Sequence, residues 1–441
     1  MKRDLSMLQA TAINMIDMVG IGPFLTTATI AAATGFGPYA IMAWISGLLL
    51  ALVDAAIWSE LGAAFPKAGG SYTFIRETFG GRLGKLLAFL FIWQTIFQAP
   101  LVVASGTQGF AGYLSYLVHL DVPGQRIVAV LVIVILTILL YRPVRAVGAI
   151  SVVLWCTVLV LMAAIISAGL LWPSDGARET FWTHGLIGGH WPRLDVSVLA
   201  AATIPATYSY LGYYNVCHLG AEVQEPVRVI PKSMYLSIAG IGALYLLMQA
   251  SVYSVLPVSD VMASTFVISA FFERLAGGTA ATVATIGILI VAVASLFSVM
   301  LGYTRIPYAA ARNGEFFSVF GQEHPKGGFP TVSLLVLAAL SAVFALTLTI
   351  DATIKSIVTV RILTQFLSQA VGLVVYRRRV GSAAMPWRMW LYPIPVIFAM
   401  VGWLLMFSAA RPMQQVAALV MPVIGLAVYA GVTALQRKHD A

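Results

Sequence analysis

Asp17, Asp54 and Arg361 are ionisable residues inside long apolar runs of this sequence. A charge removed from water is costly unless it is paired, hydrogen-bonded or turned toward an aqueous cavity, so acids and bases in such runs are read first as functional. Asp17 stands about 15 Å into the run that begins near Met7, at 1.5 Å per helical residue, one turn before Gly20. It could be the counter-charge for an amine, a proton-carrying carboxylate, or a structural partner of Arg361, and the same ion pair could act as a gate. Asp54, flanked by Leu52, Val53, Ala55 and Ala56, reads first as a structural, hydrogen-bonded carboxyl, with proton relay as the alternative.

Two stretches break the helical pattern. In Asn14-Met-Ile-Asp17-Met-Val-Gly20-Ile21-Gly22-Pro23, Gly costs about 1 and Pro about 3 kcal/mol in a helix interior. The chain should therefore unwind around Gly20 to Gly22 and restart at Pro23, where no N–H is needed. The second stretch, Ile204-Pro205-Ala-Thr-Tyr208-Ser209-Tyr210-Leu211-Gly212-Tyr213-Tyr214-Asn215, interrupts another apolar run. Glycines in apolar helices also serve close packing, so neither break is decisive by itself. Two breaks at matching positions of two inverted repeats, however, mark a midplane site in a secondary transporter. Freed amides at the start of the helix after the first break suit a carboxylate, and freed carbonyls in the second stretch, which holds Tyr208, Ser209, Leu211, Gly212 and Asn215, suit an ammonium.

Other reactive side chains carry less. His184 and His190, six apart without Cys or carboxylate partners at ligand spacing, read as a solvated loop, and no metal or cofactor is expected. Cys156 and Cys217 both fall in apolar stretches and are expected to be buried thiols. Glu60 should lie at the cytoplasmic end of its run, solvated or packing a loop. Glu222, with Glu225 and Arg228, could form an inner-gate ion pair, although exposed charge is the default.

The elements that must position these residues follow from composition. Of 441 residues, 60% are hydrophobic and 10% charged, which excludes an ordinary soluble enzyme. The net charge of +9 does not point to nucleic acid, because the basic residues sit between apolar runs. Candidate spans fall near 7–33, 38–64, 83–113, 125–140, 145–172, 194–220, 232–256, 278–303, 331–350, 353–376, 390–408 and 416–436, about twelve in all. Lys and Arg concentrate in alternate loops, among them Arg76, Arg142, Arg145, Arg305, Arg312 and Arg377 to Arg379. This places both termini in the cytoplasm. The connection from Pro173 to Arg193 is too short for an independent domain, and no obligate protein partner is readable.

Three motifs resemble the amino acid, polyamine and organocation permease superfamily. They are Ser59-Glu60 to Gly80 after the second span, Gly220-Ala-Glu222-Val-Gln-Glu225-Pro226 with Ile230-Pro231-Lys232, and Arg305 to Gly314. The resemblance is to L-type amino acid transporter-like bacterial permeases. Pro23-Phe24, Tyr141-Arg142 with Val147-Gly148, and the Asp54 and Glu60 spacing are similar to plant-type polyamine permeases. It implies an all-α membrane protein with a LeuT-like 5+5 inverted-repeat core over residues 1–376, its repeats about 7–172 and 194–376, and two further helices over 377–441. It also implies alternating access around the breaks, with Gly20, Ile21 and Gly22 bounding the carboxylate site and Tyr208 over the substrate.

The loop reads V-G-I-G-P-F where relatives commonly show G-S-G-I-F, so Pro23 removes an amide and Ile21 a hydroxyl. The lysine that many relatives carry in the fifth helix is absent, and what replaces its charge is unassigned. The leading expectation is a secondary active transporter in the cell membrane, not an enzyme, moving an amino acid by proton symport. Sodium coupling, exchange, uniport and a polyamine or cationic amine substrate stay open. A channel would need a repeated filter loop or a charged ring, which the sequence lacks.

Overall fold

The structure, a computed structural model, describes every residue except 1–2, 4, 68, 142–146, 179–180, 182–192, 194, 326–328 and 440–441. Lys2, Arg142, Arg145, His184, His190 and Lys326 therefore lie outside the described residues. In chain order the helices are α1 (Met7–Met18), α2 (Gly22–Thr34), α3 (Gly37–Ala64), α4 (Ser71–Phe79), α5 (Gly81–Val118), α6 (Val122–Leu140), α7 (Val147–Leu171), α8 (Asp175–Arg178) and α9 (Val196–Tyr210). They continue with α10 (Asn215–His218), α11 (Pro226–Val255), α12 (Val258–Ala263), α13 (Val267–Arg312), α14 (Thr331–Thr347) and α15 (Ile350–Arg361). A π-helical turn, Ile362–Leu367, leads into α16 (Ser368–Val380), followed by α17 (Ile394–Ala409) and α18 (Pro412–His439). Among the described residues there is no β-strand, and the extended pairing is limited to two isolated bridges, Leu5 with Val223 and Glu323 with Pro330.

Helices occupy each interval expected to span, and among the described residues seven are long and apolar enough to cross a bilayer, or eight when α1 and α2 count as one bent span. Breaks divide the spans on either side of the site, and α14 and α17 are short apolar helices. The α15 to α16 rod is 72% buried over its apolar window, against 11% for α18 and 22% for α6. The first therefore runs through the centre, and the other two present Leu131, Ile135, Val420 and Val423 outward, as lipid-facing helices do. α13 bends at Gly277, where φ is 80°, so the expected span beginning at 278 starts just past the bend.

Two expectations are corrected by burial. Cys217 is buried but Cys156 is exposed, because apolar helix α7 carries it on an outer surface where lipid, not core, is the apolar partner. Glu60 is fully buried and forms an ion pair with Arg377 through both carboxylate oxygens, the Nη2 to Oε2 bond being 2.7 Å. The backbone N–H of Met389 donates to the same carboxylate at 3.1 Å, and the guanidinium lies 3.9 Å from the centre of the Tyr392 ring. The end of α3 is thus tied to α16 and to the loop before α17, so of the two roles expected for Glu60 the solvated one is excluded and the loop-packing one is found, with a buried ion pair added.

Candidate functional site

The first break forms where the sequence places it. α1 ends at Met18, Val19 leaves helical geometry (φ −100°, ψ 69°), and α2 restarts at Gly22 with Pro23 in its first turn. The axes of α1 and α2 differ by 47°. The second break is narrower than expected: α9 carries Pro205 inside the helix and continues to Tyr210. Leu211 is then extended (φ −61°, ψ 143°) and Gly212 has φ 119° before α10 begins at Asn215. Ile204 to Tyr210 are therefore helical, and the chain turns at Leu211 to Tyr214.

The breaks touch at Gly212. A Cβ there would lie 2.8 Å from the Asp17 carbonyl carbon and the Met18 nitrogen, and 2.9 Å from Asp17 Oδ2. Positive φ and this close approach both require glycine. Polar ties hold the two segments together. Thr26 and Ser209 hydroxyls are 2.8 Å apart, the Val216 N–H donates to Asn14 Oδ1 at 2.8 Å, and the Tyr245 hydroxyl reaches the Met18 carbonyl at 2.8 Å and the Ser209 carbonyl at 3.2 Å. One carbonyl freed by each break is thus occupied by Tyr245 of α11.

Between the breaks lies a cavity of about 80 Å³, lined by Asp17, Met18, Gly20, Ile21, Gly22, Val102, Gly106, Tyr208, Ser209, Leu211, Gly212, Tyr214, Ser295, Leu296, Val299, Tyr303, Ile357 and Arg361. Asp17 is exposed into this space and, among the described residues, has no hydrogen-bond or ion-pair partner. Tyr208 stands over it with its hydroxyl 2.9 Å from that of Ser105. A second cavity, about 610 Å³, lies farther along α2 toward Thr34, with Gln108, Asp351, Lys355 and Arg411 on its wall. Ile21 and Leu25 close the gap between the two by packing against Gly109 of α5.

Arg361 is the last residue of α15, where the π-helical turn begins. Its Nε donates to Gln365 Oε1 at 2.7 Å and its Nη2 to the Tyr214 hydroxyl at 2.5 Å, while Gln365 donates onward to Ser71 at 2.9 Å. The expected direct pair with Asp17 is not formed: both line the cavity, but no nitrogen of one comes within 4.0 Å of an oxygen of the other. The two are held on separate elements with space between them.

Asp54 does not line the cavity. It accepts from Trp58 Nε1 at 2.9 Å, Tyr213 at 2.5 Å and Trp403 Nε1 at 3.1 Å. Three donors satisfy a carboxylate well, and they link α3, the second break and α17. Asn215 opens α10 away from the cavity lining. Glu222 lies near the N-terminal segment, where its carbonyl accepts from Leu5 N at 2.9 Å, and its carboxylate has no ion-pair partner among the described residues. Glu225 and Arg228 form an exposed contact at 3.8 Å. A tighter polar cluster in this part of the fold joins Arg76 to Glu315 at 2.9 Å, with the Tyr72 hydroxyl on the same carboxylate. Burial and that carboxylate raise the Tyr72 phenol, and the hydrogen bond to Glu315 raises Arg76.

The sequence reading did not find Gly106, Ser295 or Tyr303. They sit in α5 and α13 without a break or a charge to mark them; Tyr303, two residues before the Arg305 motif, had the nearest signal. Among the described residues no group of three or more His, Cys, Asp or Glu could hold a metal ion.

The chain matches the amino acid permease family over residues 5–432. It is 23% identical over 397 residues to the branched-chain amino acid permease BcaP of Bacillus subtilis, covering 86% of this chain and 82% of that protein. It is 24% identical to the Asc-type amino acid transporter 1 of Mus musculus over 97% of this chain and 81% of that one. It is 24% identical to the cationic amino acid transporter 4 of Mus musculus over 87% of this chain and 61% of that one. With a family match running almost from end to end, a polytopic helical architecture and two broken helices around a polar cavity, the chain belongs to the amino acid permease family.

Proposed function

We propose that this protein is a secondary active transporter of neutral α-amino acids that works by alternating access. The observation that carries the reading is the cavity between the two breaks, which offers one acid, Asp17, and one base, Arg361, on an otherwise mostly apolar wall. A zwitterion supplies the opposite charge to each. Met18, Ile21, Leu211, Leu296 and Val299 suit an uncharged side chain, with Tyr208 and Tyr303 as aromatic walls. A polyamine would satisfy Asp17 and meet repulsion at Arg361, which disfavours the amine alternative.

The reading includes about twelve crossings, a ten-helix inverted-repeat core and cytoplasmic termini in a cell membrane. Substrate binding would draw the two breaks together and shift the balance between outward and inward forms. Proton symport is the simplest coupling: Asp17 faces the cavity with no protein partner to hold its charge, so proton and substrate ammonium would compete for or share one carboxylate.

The test is uptake into proteoliposomes of labelled leucine, arginine and spermidine, each with and without an inward proton gradient. Saturable leucine uptake, stimulated by the gradient and showing counterflow, is the expected result. Spermidine uptake without leucine uptake would overturn the substrate, and leucine uptake indifferent to pH and gradient would overturn proton coupling.

A further inference from the structure

We propose that Arg361 binds the substrate carboxylate and that this contact, more than the amides of the first break, excludes amines lacking one. The inference rests on the cavity being the substrate site, as proposed above. Arg361 is buried to within 4% of complete exclusion, yet every hydrogen-bond partner it has among the described residues is neutral, namely Tyr214 and Gln365. It also lies over the rings of Tyr214 and Phe366, at 5.3 and 5.4 Å from their centres. Asp17 and Asp54 lie near enough to act on it through space, but neither touches it, and a guanidinium so deep without an anion in contact gains when a carboxylate binds it directly.

The two carboxylates that could neutralise it are committed or distant. Asp54 already accepts from Tyr213, Trp58 and Trp403, and Asp17 stands beyond 4.0 Å across the cavity. Gln365 and Tyr214 hold Nε and Nη2, which fixes the plane of the fork while leaving Nη1 without a hydrogen-bond partner among the described residues. The π-helical turn from Ile362 to Leu367 sets this geometry, because it begins immediately after Arg361 and places Gln365 beneath it. The first break offers less than a full helix terminus, because Pro23, in the first turn of α2, contributes no N–H to a carboxylate. A substrate α-carboxylate on Arg361 with its ammonium on Asp17 gives each of these two charges a contact that neither has in the other.

The experiment compares leucine with leucinamide, which keeps the ammonium and side chain and lacks the carboxylate, as inhibitors of labelled leucine uptake. Wild type should prefer leucine by on the order of 10- to 100-fold, the worth of a charge-assisted hydrogen bond. In Arg361→Gln that ratio should fall to about one, through loss of leucine affinity with leucinamide little changed. Arg361→Met, which fills similar space without polarity, reads the same ratio if the Gln variant does not fold, and Arg361→Lys should fall between. Monodispersity and thermal unfolding confirm that each variant is folded, and ligand-induced shifts in unfolding temperature give the ratio where uptake is too slow. A folded Gln or Met variant with the wild-type ratio overturns the proposal, as does a wild type that accepts leucinamide as well as leucine. Failure of wild type to move any amino acid would instead overturn the transport reading.

Discussion

Two acid and base couples within the helical bundle are treated in opposite ways. Glu60 and Arg377 meet in a two-point contact, receive a further backbone N–H from Met389 and line neither of the two cavities described above. Asp17 and Arg361 are kept apart on α1 and α15, each facing the same small space. A closed buried pair gives register and anchoring but little that a ligand can use, because each charge already has the other in direct contact. An open couple sacrifices stability in the empty protein and gains specificity when a molecule of complementary charge enters. The difference separates scaffold from site in a chain where both couples look alike as letters.

Breaking the closed couple should have the largest effect on stability. Arg377→Ala leaves Glu60 buried and uncompensated, at a cost of about 3–5 kcal/mol, and should sharply reduce folded protein recovered from the membrane. The double variant Glu60→Gln, Arg377→Met should recover much of the loss. Fluorescence-detected gel filtration after heating measures both, and a single variant as heat-resistant as wild type would show that the pair anchors nothing. The open couple should respond in the opposite sense. Asp17→Asn should abolish or strongly weaken uptake with little change in heat resistance, since no hydrogen bond within the described residues depends on that carboxylate. Wild-type uptake and pH dependence in Asp17→Asn would move Asp17 to the scaffold side of the comparison.

How much of this was legible depended on whether a residue's partner is local. The first break could be read because Gly20, Gly22 and Pro23 act on their own backbone. In the second, Pro205 suggested an earlier interruption than the one found, since a proline is tolerated in a membrane helix whose freed groups are satisfied nearby, and Gly212 marks the actual turn. The ion pair of Glu60 was missed because its partner is more than three hundred residues away, and nothing in its neighbours announces Arg377. Distance along the chain also hid the donors that Trp403 and Tyr213 give to Asp54, whereas the π-helical turn beside Arg361 is local and has no glycine or proline to mark it. Charge type and depth singled out Asp17 and Arg361, but that they stand apart is a fact of packing.

Asp54 provides an intermediate case, and Trp403→Phe isolates one of its links. The substitution removes the donor to Oδ1 and keeps a ring to stack on Phe366, whose centre is 3.9 Å away in a nearly parallel arrangement. Loss of one hydrogen bond to a charged acceptor, with two remaining, should cost about 1.5–3 kcal/mol, less than breaking the Glu60 pair. A fall in uptake larger than the fall in folded protein would mean that α17 helps to place the second break through Asp54 and Tyr213.

The smallest effect should come from Arg228→Gln. Its contact with Glu225 is 3.8 Å long and both side chains are largely in solvent, at 68% and 74% exposure. Water already stabilises both charges there, and holding two long side chains together loses what the contact gains, so the change should lie between about 0 and 1 kcal/mol. A marked loss of uptake at unchanged heat resistance would show that Arg228 acts in the transport cycle in another conformation, where its partner differs. The comparison would then need a third class, charges that are neither closed nor waiting for substrate but exchanged between conformations.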